Sequence, residues 1–127
     1  MILIVGGAGQ GKMQFAQERF CLKREDFANG ADCSISDALQ ARAIDQFHLL
    51  VRRLSEDALP FTEQICRERS DIIILLDEIG CGIIPLEKND RIWRETVGRC
   101  GCMLAAEAET VIRVVCGIPT VIKGELP

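Results

Sequence analysis

A chain of 127 residues and 14.1 kDa can bury one hydrophobic core but not two, so a single domain over 1–127 is expected. With 48% hydrophobic and 27% charged residues, it reads as an ordinary globular protein rather than a disordered one. The formal net charge is −4 and the densest basic spot is only Arg52-Arg53, which argues against a nucleic-acid-binding surface.

The first thirteen residues are an apolar run, 2–5, leading into a glycine-rich turn. The spacing Gly6-x-x-x-x-Gly11-Lys12 fits a phosphate-binding P-loop up to its last position, where Met13 replaces the usual Ser or Thr. A strand before the loop and an amphipathic helix after it, over 12–23, supply the required context. Glycines let the backbone wrap a polyphosphate with its N–H groups pointing inward, and the helix N-terminus favours anions. Gly6, Gly7, Ala8, Gly9, Gln10, Gly11, Lys12 and Met13 are therefore the expected nucleotide-binding residues, with the Lys12 ammonium on the β- and γ-phosphates. ATP or GTP is the expected ligand. A thioether at Met13 is a poor ligand for Mg²⁺, so metal-assisted transfer loses one of its usual oxygens.

Residues 26–34 read as loop or short strand, with Asn29-Gly30 as a turn. Ser34 or Ser36 then caps a long helix to residue 54, its apolar face formed by Leu39, Ala43, Phe47, Leu50 and Leu54. Pro60 opens a further helix to residue 69, with Ile65 and Cys66 inward. Residues 71–76 form a second strand, apolar on both faces as a central parallel strand is. The longest helix is expected over 87–108, burying Trp93, Val97, Cys100, Leu104 and Ala108. A third strand over 110–116 and a short fourth over 120–123 flank the Gly117-Ile118-Pro119 turn. Alternating strands and helices predict an α/β, P-loop NTPase-like three-layer fold with a small, mostly parallel central sheet. No repeat, linker or low-complexity tract is evident.

The longest apolar run, 72–76, is too short to span a membrane, and the N-terminus reads as a strand rather than a signal peptide. A cytoplasmic protein is expected. The seven cysteines, at 21, 33, 66, 81, 100, 102 and 116, show no paired metal spacing and read as buried or half-buried free thiols.

Asp77 and Glu78 close the second strand at the sheet edge where open α/β folds bind ligands, so either carboxylate can face the loop. Asp77 is the candidate Mg²⁺ ligand. From here the resemblance becomes specific. Asp77-Glu-Ile-Gly-Cys-Gly-Ile-Ile-Pro85, Asn89-Asp-Arg-Ile-Trp-Arg-Glu-Thr-Val-Gly-Arg99, Leu104-Ala-Ala-Glu-Ala-Glu109 and Val114-Val-Cys-Gly-Ile-Pro119 stand in order. They resemble the C-terminal half of the bifunctional adenosylcobinamide kinase / adenosylcobinamide-phosphate guanylyltransferase family. Asp77 replaces an Asn of the family pattern, and Cys100-Gly101-Cys102 interrupts its Asn-Gln portion. The opening strand and P-loop are similar too, whereas the middle of the chain matches weakly.

The resemblance implies two reactions: transfer of a nucleotide γ-phosphate to the hydroxyl of a cobinamide, then transfer of GMP from GTP onto that phosphate. It implies that residues 6–12 cradle the polyphosphate, that Asp77 and Glu78 address metal or hydroxyl, and that Gly80, Gly82 and Pro85 border corrinoid or nucleotide. Lys12, Glu78 and His48 are the catalytic candidates, and a homo-oligomer is expected. Family members are longer, carrying in their middle a further strand and the histidine that becomes guanylylated. Residues 32–54 look instead like the family's later helix. His48 is the chain's single histidine. Helical spacing puts it at the edge of the buried stripe, beside Phe47, so the expectation is a kinase half-reaction without a guanylyl-histidine. The alternative is a degenerate, non-catalytic nucleotide-binding or regulatory protein; an unrelated small-molecule P-loop kinase requires the C-terminal match to be accidental.

Overall fold

The computed structural model describes residues 1–80, 82 and 84–127. Cys81 and Ile83 of the loop motif, and with Cys81 the seventh cysteine, lie outside them. Six strands form one sheet in the order β2-β3-β4-β1-β5-β6. These are β1 (Ile2–Gly6), β2 (Phe27–Asn29), β3 (Ala43–Asp45), β4 (Ile73–Asp77), β5 (Thr110–Val115) and β6 (Ile118–Lys123). All neighbours are parallel except β5 and β6, which form an antiparallel hairpin. The helices are α1 (Lys12–Phe20), α2 (Ile35–Gln40), α3 (Phe47–Leu54), α4 (Ala58–Glu68) and α5 (Lys88–Glu107). The P-loop NTPase-like α/β architecture expected from the sequence is present.

Side-chain alternation along the strands builds the three layers. Leu3, Ile44, Ile74, Leu76 and Val111 point to one face, where Phe47, Leu50, Ile65, Val97, Cys100 and Leu104 of α3, α4 and α5 cover them. Ile4, Ala43, Ile73, Leu75, Ile112 and Val114 point to the other, against Ala16 of α1. β4 is buried at four of its five positions, as a central strand must be. β6, at the sheet edge, is exposed along its whole length. Among the described residues no helix is long and apolar enough to cross a membrane.

The long helix expected up to residue 54 is not formed. Ser34 does cap, accepting from the Asp37 N–H at 3.0 Å, but α2 ends at Gln40. Residues 43–45 instead pair with β4, Ala43 opposite Ile73 and Ile44 opposite Ile74. Ala43 and Phe47 are four apart, so they imitate a helical stripe. They belong instead to opposite faces of the sheet, Ala43 facing α1 and Phe47 the α3 layer. Gln46 then takes a left-handed conformation, φ 52°, which turns the chain into α3. The middle therefore contains a strand where a helix was expected, β2 is the short strand that 26–34 allowed, and the sheet has six strands among the described residues.

Smaller departures have local causes. α1 stops at Phe20 rather than residue 23 because Cys21 turns left-handed and closes the helix onto the Gln17 carbonyl. α4 starts two residues before Pro60, which still lies in the first turn, where its missing N–H costs nothing. Within α5, Cys100 is in the core, Gly101 lets the helix approach Leu76, and Cys102 faces solvent. All six described cysteines are free, but Cys21, Cys102 and Cys116 are exposed, so the expectation of buried thiols holds only for Cys33, Cys66 and Cys100.

Gly30 ties the unforeseen strand to its neighbour. Its N–H donates to the Asp45 carbonyl at 2.8 Å, and a Cβ there would lie 2.1 Å from the Gln46 carbonyl oxygen. Gly30→Ala is expected to destabilise the fold by about 1–3 kcal/mol, as overpacked sites do. The readout is a lower urea midpoint at unchanged slope. An unchanged midpoint would mean that β2 and β3 do not meet this closely.

Candidate phosphate-loop site

The site lies at the C-terminal edge of β1, β3 and β4. Gly9 (φ 70°) and Gly11 (φ 95°) adopt the left-handed conformations that let the loop turn back over α1. A Cβ on Gly6 would stand 2.5 Å from the Val114 carbonyl oxygen, so only glycine fits where β1 leaves the sheet beside β5. The β5–β6 turn braces the loop from outside. Gln10 accepts from the Cys116 N–H through its side chain and from the Gly117 N–H through its carbonyl, both at 2.8 Å.

Lys12 is buried. Its ammonium donates to the carbonyls of Gly6 (3.1 Å) and Gly7 (2.8 Å) and pairs with Asp77 Oδ1 at 2.6 Å. The register makes this pair possible, since Gly6 and Asp77 are direct partners across β1 and β4. The other Asp77 oxygen lies 3.5 Å from His48 Nε2. His48 arrives in the first turn of α3, and its carbonyl accepts from Trp93 Nε1 at 2.8 Å, which ties α3 to α5. Its Nδ1 is buried and has no hydrogen-bond partner among the described residues.

Residues 8–13 together with Asp45, Gln46, His48 and Asp77 line a cavity of about 370 Å³. Asp45 ends β3, its Oδ1 accepting from the Gln46 N–H at 2.8 Å, and burial pushes its carboxyl above the usual range. Lys12, His48 and Asp77 thus converge with the loop residues Ala8, Gly9, Gln10, Gly11 and Met13. Gly6 and Gly7 offer carbonyls to Lys12 from beneath.

Glu78 does not join them. Its backbone N–H donates to the Gly6 carbonyl at 3.0 Å, while its carboxylate holds Arg113 through two contacts at 3.2 and 3.3 Å. Gly80, Gly82 and Pro85 also stand apart from the cavity, on the loop joining β4 to α5. There Arg94 donates to the Gly80 carbonyl, and Arg91 donates to those of Pro85 (3.1 Å) and Leu86 (2.6 Å).

Asp45 and Trp93 are the site neighbours that sequence reasoning missed. The signal for Asp45 was present: Ile44-Asp45 repeats in miniature the apolar-strand-then-carboxylate pattern of β4. Trp93 fits the core stripe by helical spacing, and it is half-buried there with its indole N–H turned to His48.

Burial is the largest influence on His48 and holds its imidazole below the ordinary value of 6.5; Asp77 pulls it back up, and Lys12 pushes it further down. A depressed folded-state value means that the unfolded chain binds a proton that the folded one refuses. The stability this contributes is complete above pH 6.5 and is lost as pH falls from 6.5 through the depressed value. The stability of the protein is therefore expected to fall below that pH with a slope of at most about 1.4 kcal/mol per unit from this group. His48→Gln should flatten that part of the profile. A His48 titration by NMR with its midpoint above 6.5 would contradict the burial account.

A family model described as cobinamide kinase / cobinamide phosphate guanyltransferase matches residues 31–122. No curated protein matches the chain closely enough to count as a relative. The match covers well over half of the chain, including β3, the Asp77 end of β4, His48 and all of α5. The phosphate loop precedes it and stands on its own motif and geometry. The chain belongs to the cobinamide kinase / cobinamide phosphate guanyltransferase family, which uses a nucleoside triphosphate and a cobinamide in cobalamin biosynthesis.

Proposed function

We propose that this protein is a cobinamide kinase, binding ATP or GTP in the loop of residues 6–13 and transferring the γ-phosphoryl group to the cobinamide hydroxyl. The observation that supports this most is the convergence of Lys12, Asp77 and His48 on one cavity under the loop. In the structure the Lys12 ammonium is held by two carbonyls and a carboxylate. An entering triphosphate competes for it, and Lys12 then lies against the β- and γ-phosphates. The acceptor oxygen forms its bond to the γ-phosphorus as the bond from that phosphorus to the β,γ-bridging oxygen breaks. The nucleoside diphosphate leaves with the bonding electron pair. The hydroxyl proton passes to His48 Nε2, an imidazole that burial keeps neutral and so able to accept it.

Mg²⁺ asks for one or two carboxylates, with phosphate and water oxygens completing its shell. Asp77 and Asp45 both face the cavity and fit that demand, whereas the Met13 thioether does not. Bound there, the ion would neutralise charge on the phosphates. Glu78, committed to Arg113, supports the site through its backbone contact with Gly6 rather than by touching substrate. We read the whole chain as one domain acting in the cytoplasm, as a homo-oligomer.

The position of His48 favours a second reading. A guanylyl-histidine needs a neutral imidazole beside a bound nucleotide, and α3 brings its first turn to the phosphate loop instead of running past it within a longer helix. In that reading Nε2 attacks the α-phosphorus of GTP, pyrophosphate leaves, and GMP passes on to the cobinamide phosphate.

Incubation with cobinamide and GTP labelled at either the α- or the γ-phosphate separates these readings. The kinase reading predicts γ-label in a cobinamide phosphate and no α-label on protein. An acid-labile, alkali-stable α-label that is lost in His48→Ala would establish the second reading. Nucleotide binding with no transfer of either label would leave a non-catalytic nucleotide-binding protein.

A further inference from the structure

A kinase must seat two substrates, and the cavity beneath the loop, at about 370 Å³, has room for the polyphosphate end of one. The acceptor must lie next to it. A groove of about 600 Å³ runs between α3, the start of α4 and the first half of α5. Its walls include Arg52, Glu56, Leu59, Asn89, Trp93 and Thr96. We propose that this groove is the docking site for the corrinoid, whose hydroxyl-bearing arm reaches past Trp93 to the phosphate loop. The assignment rests on the kinase reading given above.

Trp93 links the two cavities, because it is the partition between them. Its indole lines the groove, its Nε1 donates to the His48 carbonyl at 2.8 Å, and its ring centre lies 6.3 Å from that of His48. His48 in turn lines the phosphate-loop cavity. In two further cavities among the described residues, no lining side chain is hydrogen-bonded to a residue of the phosphate-loop cavity as Trp93 is to His48. One lies between α4 and α5 around Cys66 and Met103, and the other lies beside β2 and α2 around Phe27 and Asp37.

The lining also suits this ligand. A cobinamide is a cobalt(III) macrocycle with an apolar ring system, a fringe of amides and a net positive charge. The groove offers the apolar surface of Leu59 and Trp93, and it offers Asn89, Ser55 and Thr96 to exchange hydrogen bonds with amides. Arg52 stacks over Trp93 at 4.7 Å and is neutralised by Asp90 at 3.1 Å. That leaves Glu56, which has no ion-pair partner among the described residues, to give the groove its net negative charge. The macrocycle is larger than the groove and would present one edge to it.

Thr96→Arg fills the groove and adds a positive charge; Glu56→Lys reverses its unpaired charge at an exposed position. Neither residue touches the phosphate-loop cavity. Binding of aquocyanocobinamide, read by equilibrium dialysis from its visible absorbance, is expected to weaken about tenfold or more in Thr96→Arg, and about threefold in Glu56→Lys. GTP affinity by calorimetry is expected to stay within about twofold of wild type in both. Wild-type corrinoid affinity in both variants would overturn the groove assignment and leave the kinase reading standing. A wild-type protein that transfers the γ-label to cobinamide yet binds corrinoid no better than Thr96→Arg would overturn it equally. Absence of both corrinoid binding and γ-transfer in wild type would overturn the groove and the kinase reading together.

Discussion

The contact between the Lys12 ammonium and the Asp77 carboxylate, 2.6 Å long and largely buried, is the one on which the rest of the site depends. A buried ammonium is costly unless it is paired and its hydrogen bonds are met, and here two glycine carbonyls and one carboxylate meet them. This arrangement demands that β1 and β4 be neighbours in register, so that Gly6 and Asp77 end side by side. It also demands glycine at position 6, where β5 leaves no space for a Cβ. Sheet order, loop composition and the charge pair are one constraint seen at three scales.

The same pair orders the side chains around the cavity. Asp77 holds Lys12 with one oxygen and approaches His48 with the other, so a ligand that draws Lys12 away changes the charge facing the imidazole. Asp45 adds a second carboxylate on the wall of the same cavity, at the end of the neighbouring strand. Parallel strands bring these groups together because their C-terminal ends lie along one edge, where loops rather than helices face the ligand. From outside, Gln10 fastens the loop to the β5–β6 turn, which joins the outermost hairpin to the candidate site.

The ends of the chain were legible because each of their signals has one physical reading. A strand, four glycines at fixed spacing and a lysine admit few alternatives, and a five-residue apolar run ended by a carboxylate is a central strand. The middle was not legible, for a geometric reason. Ala43, Phe47, Leu50 and Leu54 satisfy a helical period, yet residues 43–45 are too short a strand to show a period of their own. What decides them is pairing with β4, a contact more than twenty-five residues away in the sequence. With that strand hidden, Asp45 does not stand out as a strand-end carboxylate, and His48 looks like a mid-helix residue rather than one in a first turn beside the loop. Glu78 shows the opposite failure. Either carboxylate after β4 can face the loop on sequence grounds, but Arg113 on β5 takes that of Glu78.

The most direct test of this account is a crystal structure of the protein with a non-hydrolysable GTP analogue. The account predicts the triphosphate within the loop of residues 8–13, Lys12 Nζ moved from the Gly6 and Gly7 carbonyls to the β- and γ-phosphate oxygens, and His48 on the cavity wall facing them. A triphosphate bound elsewhere, with the Lys12–Asp77 contact intact, would contradict it.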